Sequence, residues 1–206
     1  MGAETTLNEI ASEVRDCQLC RLSQSRTRAV PGEGPAQSDI MFIGEGPGFH
    51  EDRQGRPFVG AAGKFLEELL ASIGLNREQV YITNLVKCRP PGNRDPREDE
   101  LEVCTTSYLD RQIEAINPKV IVTLGRFSMA RYFPNARISG VHGRPQRFGG
   151  RLVVPMYHPA AALHQPALRS AIEADFQRLP NWIQEAADLA PTEEPAADDP
   201  QQLSLF

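Results

Sequence analysis

Missing first of all is any long apolar run: nothing in the 206 residues approaches the roughly 18 that a membrane-spanning helix needs. The opening MGAETTLNEIASEVRD lacks the apolar centre of a secretory signal and repeats with helical period, so export is not expected. Cysteine is scarce, at four residues, and two disulfides would require an oxidising compartment. Acidic residues are absent from 117 to 172, a stretch that holds Lys119, Arg126, Arg131, Arg137, Arg144, Arg147, Arg151 and Arg169. Lys and Arg are absent after Ala187, where five acids lie. The net charge of -5 therefore belongs to the tail, and the remainder carries 22 acidic and 22 basic residues. A one-signed basic half suits a polyanion partner, because Lys and Arg on one face neutralise phosphates. Arginines offset by acids from the other half are the plainer alternative.

What is present alternates between two periods. Residues 39–44 (DIMFIG), 80–86 (VYITNLV), 119–124 (KVIVTL) and 151–157 (RLVVPMY) read as buried strands. Helical spacing places Phe65, Leu66, Leu69, Leu70 and Ile73 on one face of 61–73, and Leu101, Leu109, Ile113 and Ile116 on one face of 97–116. Near-continuous apolar strands alternating with helices predict an α/β fold with a parallel sheet covered on both faces. Ligands of such folds bind at the carboxyl ends of the strands. Each strand end here carries something unusual: GEGPG, then Asn84 with KCRPPGNR, then GRFSMA, then HPAAALH.

Residues 1–186 read as one domain, and 187–201, acidic and rich in Ala and Pro without an aromatic, as a disordered linker. The closing Gln202, Leu203, Ser204, Leu205 and Phe206 then have no core of their own, which suits a docking peptide. A tail folded back on its domain is the other reading.

The cysteines sit at Cys17, Cys20, Cys88 and Cys104, a C-x2-C pair followed by two separated residues. Thiolates bind zinc and iron-sulfur clusters well, and a Cys-x-x-Cys turn supplies two ligands without strain. Buried free thiols and disulfides stay open as alternatives. The wide spacing of the last two residues leans toward iron-sulfur rather than a compact zinc knuckle.

Four polar or aromatic positions stand out. Glu45, in a glycine-rich loop that lacks the Lys-Ser/Thr of a phosphate loop, suits acid-base or water-positioning work. Phe58 is either a core plug or a ring that stacks on a planar base. Asn84, in an apolar strand, needs partners for both halves of its carboxamide, and a nucleobase edge offers both. His158, after the fourth strand, carries a neutral N–H able to stabilise a developing anion.

GEGPG, the ED-x-x-GRPFVG stretch, TN-x-x-KCRPPGNR, the HPAA segment and the cysteine spacing occur in this order. The combination resembles the family 4 uracil-DNA glycosylases over about residues 13–182. The first loop of the related family 5 typically lacks the glutamate, so Glu45 favours family 4. The resemblance implies a three-layer α/β/α sandwich on a central four-stranded parallel sheet and a [4Fe-4S] cluster on Cys17, Cys20, Cys88 and Cys104. It also implies roles: Glu45 and the Gly46 backbone at the scissile bond, Phe58 stacking on uracil, Asn84 reading its edge, His158 beside the departing base, and Glu51 crowding a thymine methyl. The partner it implies is uracil-containing DNA, single- or double-stranded, met by a monomer in the cytoplasm and associated with the nucleoid. Leu163 in HPAAALH is either a wedge in the base stack or a core residue. The QLSLF end resembles the bacterial peptide that binds the polymerase sliding clamp. A non-catalytic iron-sulfur DNA-binding module is the alternative from another class, and it has no need of Glu45, Asn84 and His158 at three strand ends.

Overall fold

The apolar runs form strands in the computed structural model of the chain, which describes residues 2–188. These are β1 (Ile40–Gly44), β2 (Tyr81–Asn84), β3 (Val120–Leu124), β4 (Gln146–Phe148) and β5 (Arg151–Met156), in the spatial order β2-β1-β3-β5-β4. The pairings β1 with β2, β1 with β3 and β3 with β5 are parallel, with Phe42 opposite both Ile82 and Val122. The helices are α1 (Ala3–Asp16), α2 (Phe49–Gln54), α3 (Ala61–Ala71), α4 (Glu98–Cys104), α5 (Asp110–Ile116), α6 (Arg126–Ala130), α7 (Ile138–Val141), α8 (Pro159–His164) and α9 (Arg169–Asp188).

Side chains alternate across a strand, so a central sheet needs cover on both faces. Met41, Ile43, Ile121 and Val153 pack with Ile10 and Val14 of α1 and Ile113 of α5 on one face. Phe42, Val122 and Val154 pack with Leu66 and Leu69 of α3 and Phe176, Leu179 and Trp182 of α9 on the other. This is the three-layer sandwich, with one addition to the four expected strands. β4 pairs antiparallel with β5, placing Arg147 opposite Leu152 across a turn made by Gly149 and Gly150 at φ 53° and 77°. Its QRF sequence has little to bury and lies on the exposed edge, so it carries no apolar run to find.

The stretch 97–116 is interrupted. Between α4 and α5 one π turn, Thr105–Leu109, follows Cys104, and Thr105 Oγ1 donates to the carbonyl of Leu101 at 2.8 Å. α9 runs to Asp188, two residues into the 187–201 stretch; the rest of that stretch and the 202–206 peptide lie outside the described residues. No described helix is long and apolar enough to cross a membrane.

The basic half is largely balanced. Lys119 pairs with Asp39, Arg126 with Asp95, Arg131 with Asp110, Arg147 with Glu185, and Arg169 with Glu68 and Glu173. Most of those charges therefore meet acids from other segments, and a polyanion reading cannot rest on their number.

Candidate active site

The carboxyl ends of β1, β2 and β5 meet at one open cavity of about 390 Å³. Glu45, Gly46, Glu51, Phe58, Asn84 and His158 all line it, so every residue expected at the site apart from the cysteines is brought together. Gly44 is its floor: a Cβ there would lie 2.4 Å from Asn84 Oδ1 and 2.8 Å from Phe58 Cζ, so both side chains cross directly over that backbone. Behind His158 stands Gly125, at φ 93°, where a Cβ would come within 3.2 Å of the His158 Cβ.

Phe58 combines both expectations: it is buried in the core cluster with Phe65 and Leu66, and it lines the cavity. Its backbone is left-handed at φ 51°, a conformation that costs a large residue energy and persists only when its surroundings impose it. Arg77 is the restraint, donating to the carbonyls of Phe58 at 2.7 Å and Pro57 at 2.6 Å. Glu33 holds Arg77 in turn, and also Arg56. Across the chain Gly63 admits the Phe58 carbonyl, since a Cβ there would sit 1.8 Å from that oxygen. The ring lies over the His158 imidazole with centroids 5.4 Å apart and planes 23° off parallel.

Glu51 staples two loops together. One oxygen accepts from the N–H groups of Val59 at 2.9 Å and Gly60 at 2.8 Å, and the other from Gly48 at 3.1 Å. The loop that carries Glu45 is thereby tied to the loop that carries Phe58. The Glu45 carboxyl is pushed above the ordinary range by burial and then by Asp95, with Arg126 pulling the other way. The Asn84 residue is buried, and its carboxamide faces the cavity with no hydrogen-bond partner among the described residues. His158 caps α8: its Nδ1 accepts the Ala160 N–H at 3.1 Å, which leaves the ring proton on Nε2. Burial pushes the imidazole down to about 4, against an opposing pull from Glu51, so it is neutral at physiological pH. Leu163 is 49% exposed at the rim, which removes the core reading of that residue.

On the far side of β2 the four cysteines are free thiols lining one second cavity with Val14, Leu22, Val103 and Tyr108. Three of the sulfurs already accept N–H groups: Cys17 from Leu19 at 3.5 Å, Cys104 from Lys87 at 3.3 Å, and Cys88 from the Arg26 guanidinium at 3.0 Å. No three or more His, Cys, Asp or Glu among the described residues are arranged to hold a metal ion at one point. The thiols surround a space rather than converge, and N–H donors on their sulfurs are what cluster thiolates use. Between the two cavities lies Lys87, fully buried, whose Nζ donates to the Asn84 carbonyl at 2.8 Å, Gln112 Oε1 at 2.7 Å and Thr83 Oγ1 at 2.6 Å. Lys87, Arg77, Glu33 and Arg26 were not legible as site residues, because isolated charges in loops carry no spacing signal.

Comparison with known proteins agrees with this geometry. A family model described as the uracil DNA glycosylase superfamily matches residues 31–181. A type-4 uracil-DNA glycosylase of Sulfurisphaera tokodaii is 51% identical over 184 residues, which cover 84% of this chain and 83% of that protein. One from Archaeoglobus fulgidus is 48% identical over 84% of this chain and 92% of its own length. Another, from Thermotoga maritima, is 44% identical over 89% and 98% respectively. The family match spans the strands that build the cavity, and these relatives align with nearly the whole described body: the chain belongs to the type-4 branch of the uracil-DNA glycosylase superfamily.

Proposed function

We infer that this protein removes uracil from DNA by hydrolysing the N-glycosidic bond of a flipped-out deoxyuridine, the opening step of base excision repair. The observation that carries this is the convergence of Glu45, Phe58, Asn84 and His158 on one nucleotide-sized cavity at the carboxyl ends of the strands. A base inside a duplex cannot reach such a cavity, so the nucleotide is turned outward, and weak pairing makes uracil cheap to extrude. Phe58 stacks on the base. The Asn84 amide N–H donates to O4 while its carbonyl accepts N3–H; cytosine offers the opposite pattern and leaves both groups mismatched. Glu51, fixed by three backbone N–H groups, stands where a C5 methyl would be crowded.

As the bond to C1′ lengthens, the sugar gains positive charge and the base gains negative charge. The Glu45 carboxylate stabilises the first and orients a water that adds to C1′, accepting its proton. The neutral His158 Nε2–H donates to O2 as anionic charge builds there, with no proton transferred. Uracil leaves as the anion and takes a proton from solvent. Leu163, which is exposed, is the residue we assign to fill the gap the base vacates.

Cys17, Cys20, Cys88 and Cys104 are the residues we assign to a [4Fe-4S] cluster, which when bound supplies a cross-link between the N-terminal segment and the segments after β2. The part-buried Arg26 guanidinium on Cys88 Sγ offsets its negative charge, and the Lys87 backbone N–H donates to Cys104 Sγ. QLSLF is assigned to the sliding clamp on its sequence, and deletion of 202–206 abolishes clamp binding if that is right. Release of uracil from single- and double-stranded oligonucleotides by the purified brown protein, with four irons per chain, tests the reading. An intact, iron-loaded protein that binds DNA but releases no uracil would favour the non-catalytic module instead.

A further inference from the structure

Among the described residues only Leu19, Phe49 and Leu163 are large apolar side chains that stand substantially in solvent, and two of these flank the same cavity. Leu163 sits on α8 beside His164, which lines it; Phe49 opens α2 next to Gly48, which also lines it. The Phe49 ring is 49% exposed and makes no contribution to either core cluster.

Two guanidinium groups attend this ring, Arg89 at 5.2 Å and Arg53 at 5.7 Å from its centroid. Neither forms an ion pair with a carboxylate among the described residues, in contrast to Arg126, Arg131 and Arg169. The His50 ring meets it edge-on at 5.4 Å. Arg89 is also tied to the cavity wall, since its Nε donates to Oδ1 of Asn93 at 2.7 Å, and Asn93 lines the cavity. A half-exposed ring with two guanidinium groups over it, neither paired with a carboxylate, matches a stacked base with its phosphates: the ring takes the π-face as the cations turn to the backbone charge. An apolar protein partner would have to bury two uncompensated charges to reach the same ring.

We propose that Phe49, with Arg53 and Arg89, is a stacking platform for the nucleobase adjacent to the flipped deoxyuridine. This rests on the reading of the cavity as a uracil pocket. Flipping leaves the neighbouring base without one stacking partner, and a ring at the cavity mouth replaces it. Because every base has a π-face, the platform is indifferent to sequence and serves a single strand as well as a duplex.

The test measures single-turnover uracil release on single-stranded DNA, using oligonucleotides with a normal base or a base-less tetrahydrofuran residue on either side of the deoxyuridine. Phe49→Ala raises KM roughly five- to a hundredfold on the normal strand, while the rate at saturating DNA moves less than threefold. Phe49→Trp restores KM. On the strand lacking the relevant neighbouring base, wild type loses the same factor and Phe49→Ala loses nothing further. An unchanged KM for Phe49→Ala overturns the proposal. So does an equal loss on normal and base-less strands, which would mean that the ring serves the fold or the phosphates instead. A wild-type protein that releases no uracil from any strand would reject the underlying pocket reading, an outcome distinct from both.

Discussion

Replacing Gly63 by Ala is a test of how tightly the fold controls the Phe58 ring, because Gly63 itself does not line the cavity. The added Cβ would stand 1.8 Å from the carbonyl oxygen of Phe58 and 2.1 Å from its carbon. A carbon-oxygen contact settles near 3.3 Å, so one of the two backbones must retreat by on the order of 1.5 Å. No rotamer change can relieve it, since both parties are main chain. Retreat of Phe58 stretches its bond from Arg77, now 2.7 Å, and tilts the ring away from its place over His158. Overpacking of this kind costs about 1–3 kcal/mol, or roughly 2–12 °C in melting temperature for a domain of this size. A displacement near 1 Å at a positioned group costs about a hundredfold in kcat/KM. Gly140, in α7, has nothing within 4 Å of its Cβ position and no positive φ, so Gly140→Ala is the matched control and holds both values. The measurements are a thermal melt and single-turnover uracil release. A Gly63→Ala protein with wild-type melting temperature and kcat/KM would refute the packing described for Phe58.

Glu45→Gln abolishes most uracil release yet melts higher than wild type near pH 8. Burial raises the folded-state carboxyl, so its ionisation costs stability as pH rises through that value, and the gap between the two proteins closes toward pH 4. In wild type kcat/KM falls with acid at a pH above the ordinary glutamate range, and His158→Gln keeps that limb because burial pushes the imidazole down to about 4; a limb that disappears in His158→Gln would contradict this. Asn84→Asp loses uracil excision and its preference over cytosine, and an unchanged preference in competition assays would remove Asn84 from base reading. Arg77→Ala raises KM about tenfold, the effect of a ring freed from its strained backbone, without loss of iron; iron loss with unchanged KM would place Arg77 in the wrong part of the molecule.

Much of this molecule was legible because its signals are of the kind that one strand or one loop carries alone. The runs IMFI, VIVTL and LVVPM have to be buried on both faces, and the glycines after them have to turn. β4 escaped because QRF buries almost nothing, although Gly149-Gly150 between it and β5 was a hairpin signal available to be read. The π turn after Cys104 escaped because its periodicity blends with that of the helices on each side. Residues whose work consists of holding others escaped for a different reason. Glu51 was placed at the pocket for its bulk, and only the folded chain reveals that it joins Gly48 to Val59 and Gly60. Arg77 acts through Pro57 and Phe58, some twenty residues earlier, a pairing invisible before the loop closes. The basic half misled in the other direction, since counting arginines along the chain ignores the carboxylates that folding brings to them.

The stretch from Asn84 to Cys88 is a ruler. At one end a carboxamide faces the base cavity and at the other a sulfur faces the cysteine cavity. The residue before that sulfur is pinned twice, its N–H to Cys104 Sγ at 3.3 Å and its carbonyl to the N–H of Val30 at 2.7 Å. One residue inserted or deleted here would carry Lys87 and Cys88 out of place against Cys104 and Val30. The turn at Gly149-Gly150 lines neither cavity. A length change between Asn84 and Cys88 disturbs the base cavity and the cysteine cavity in one step.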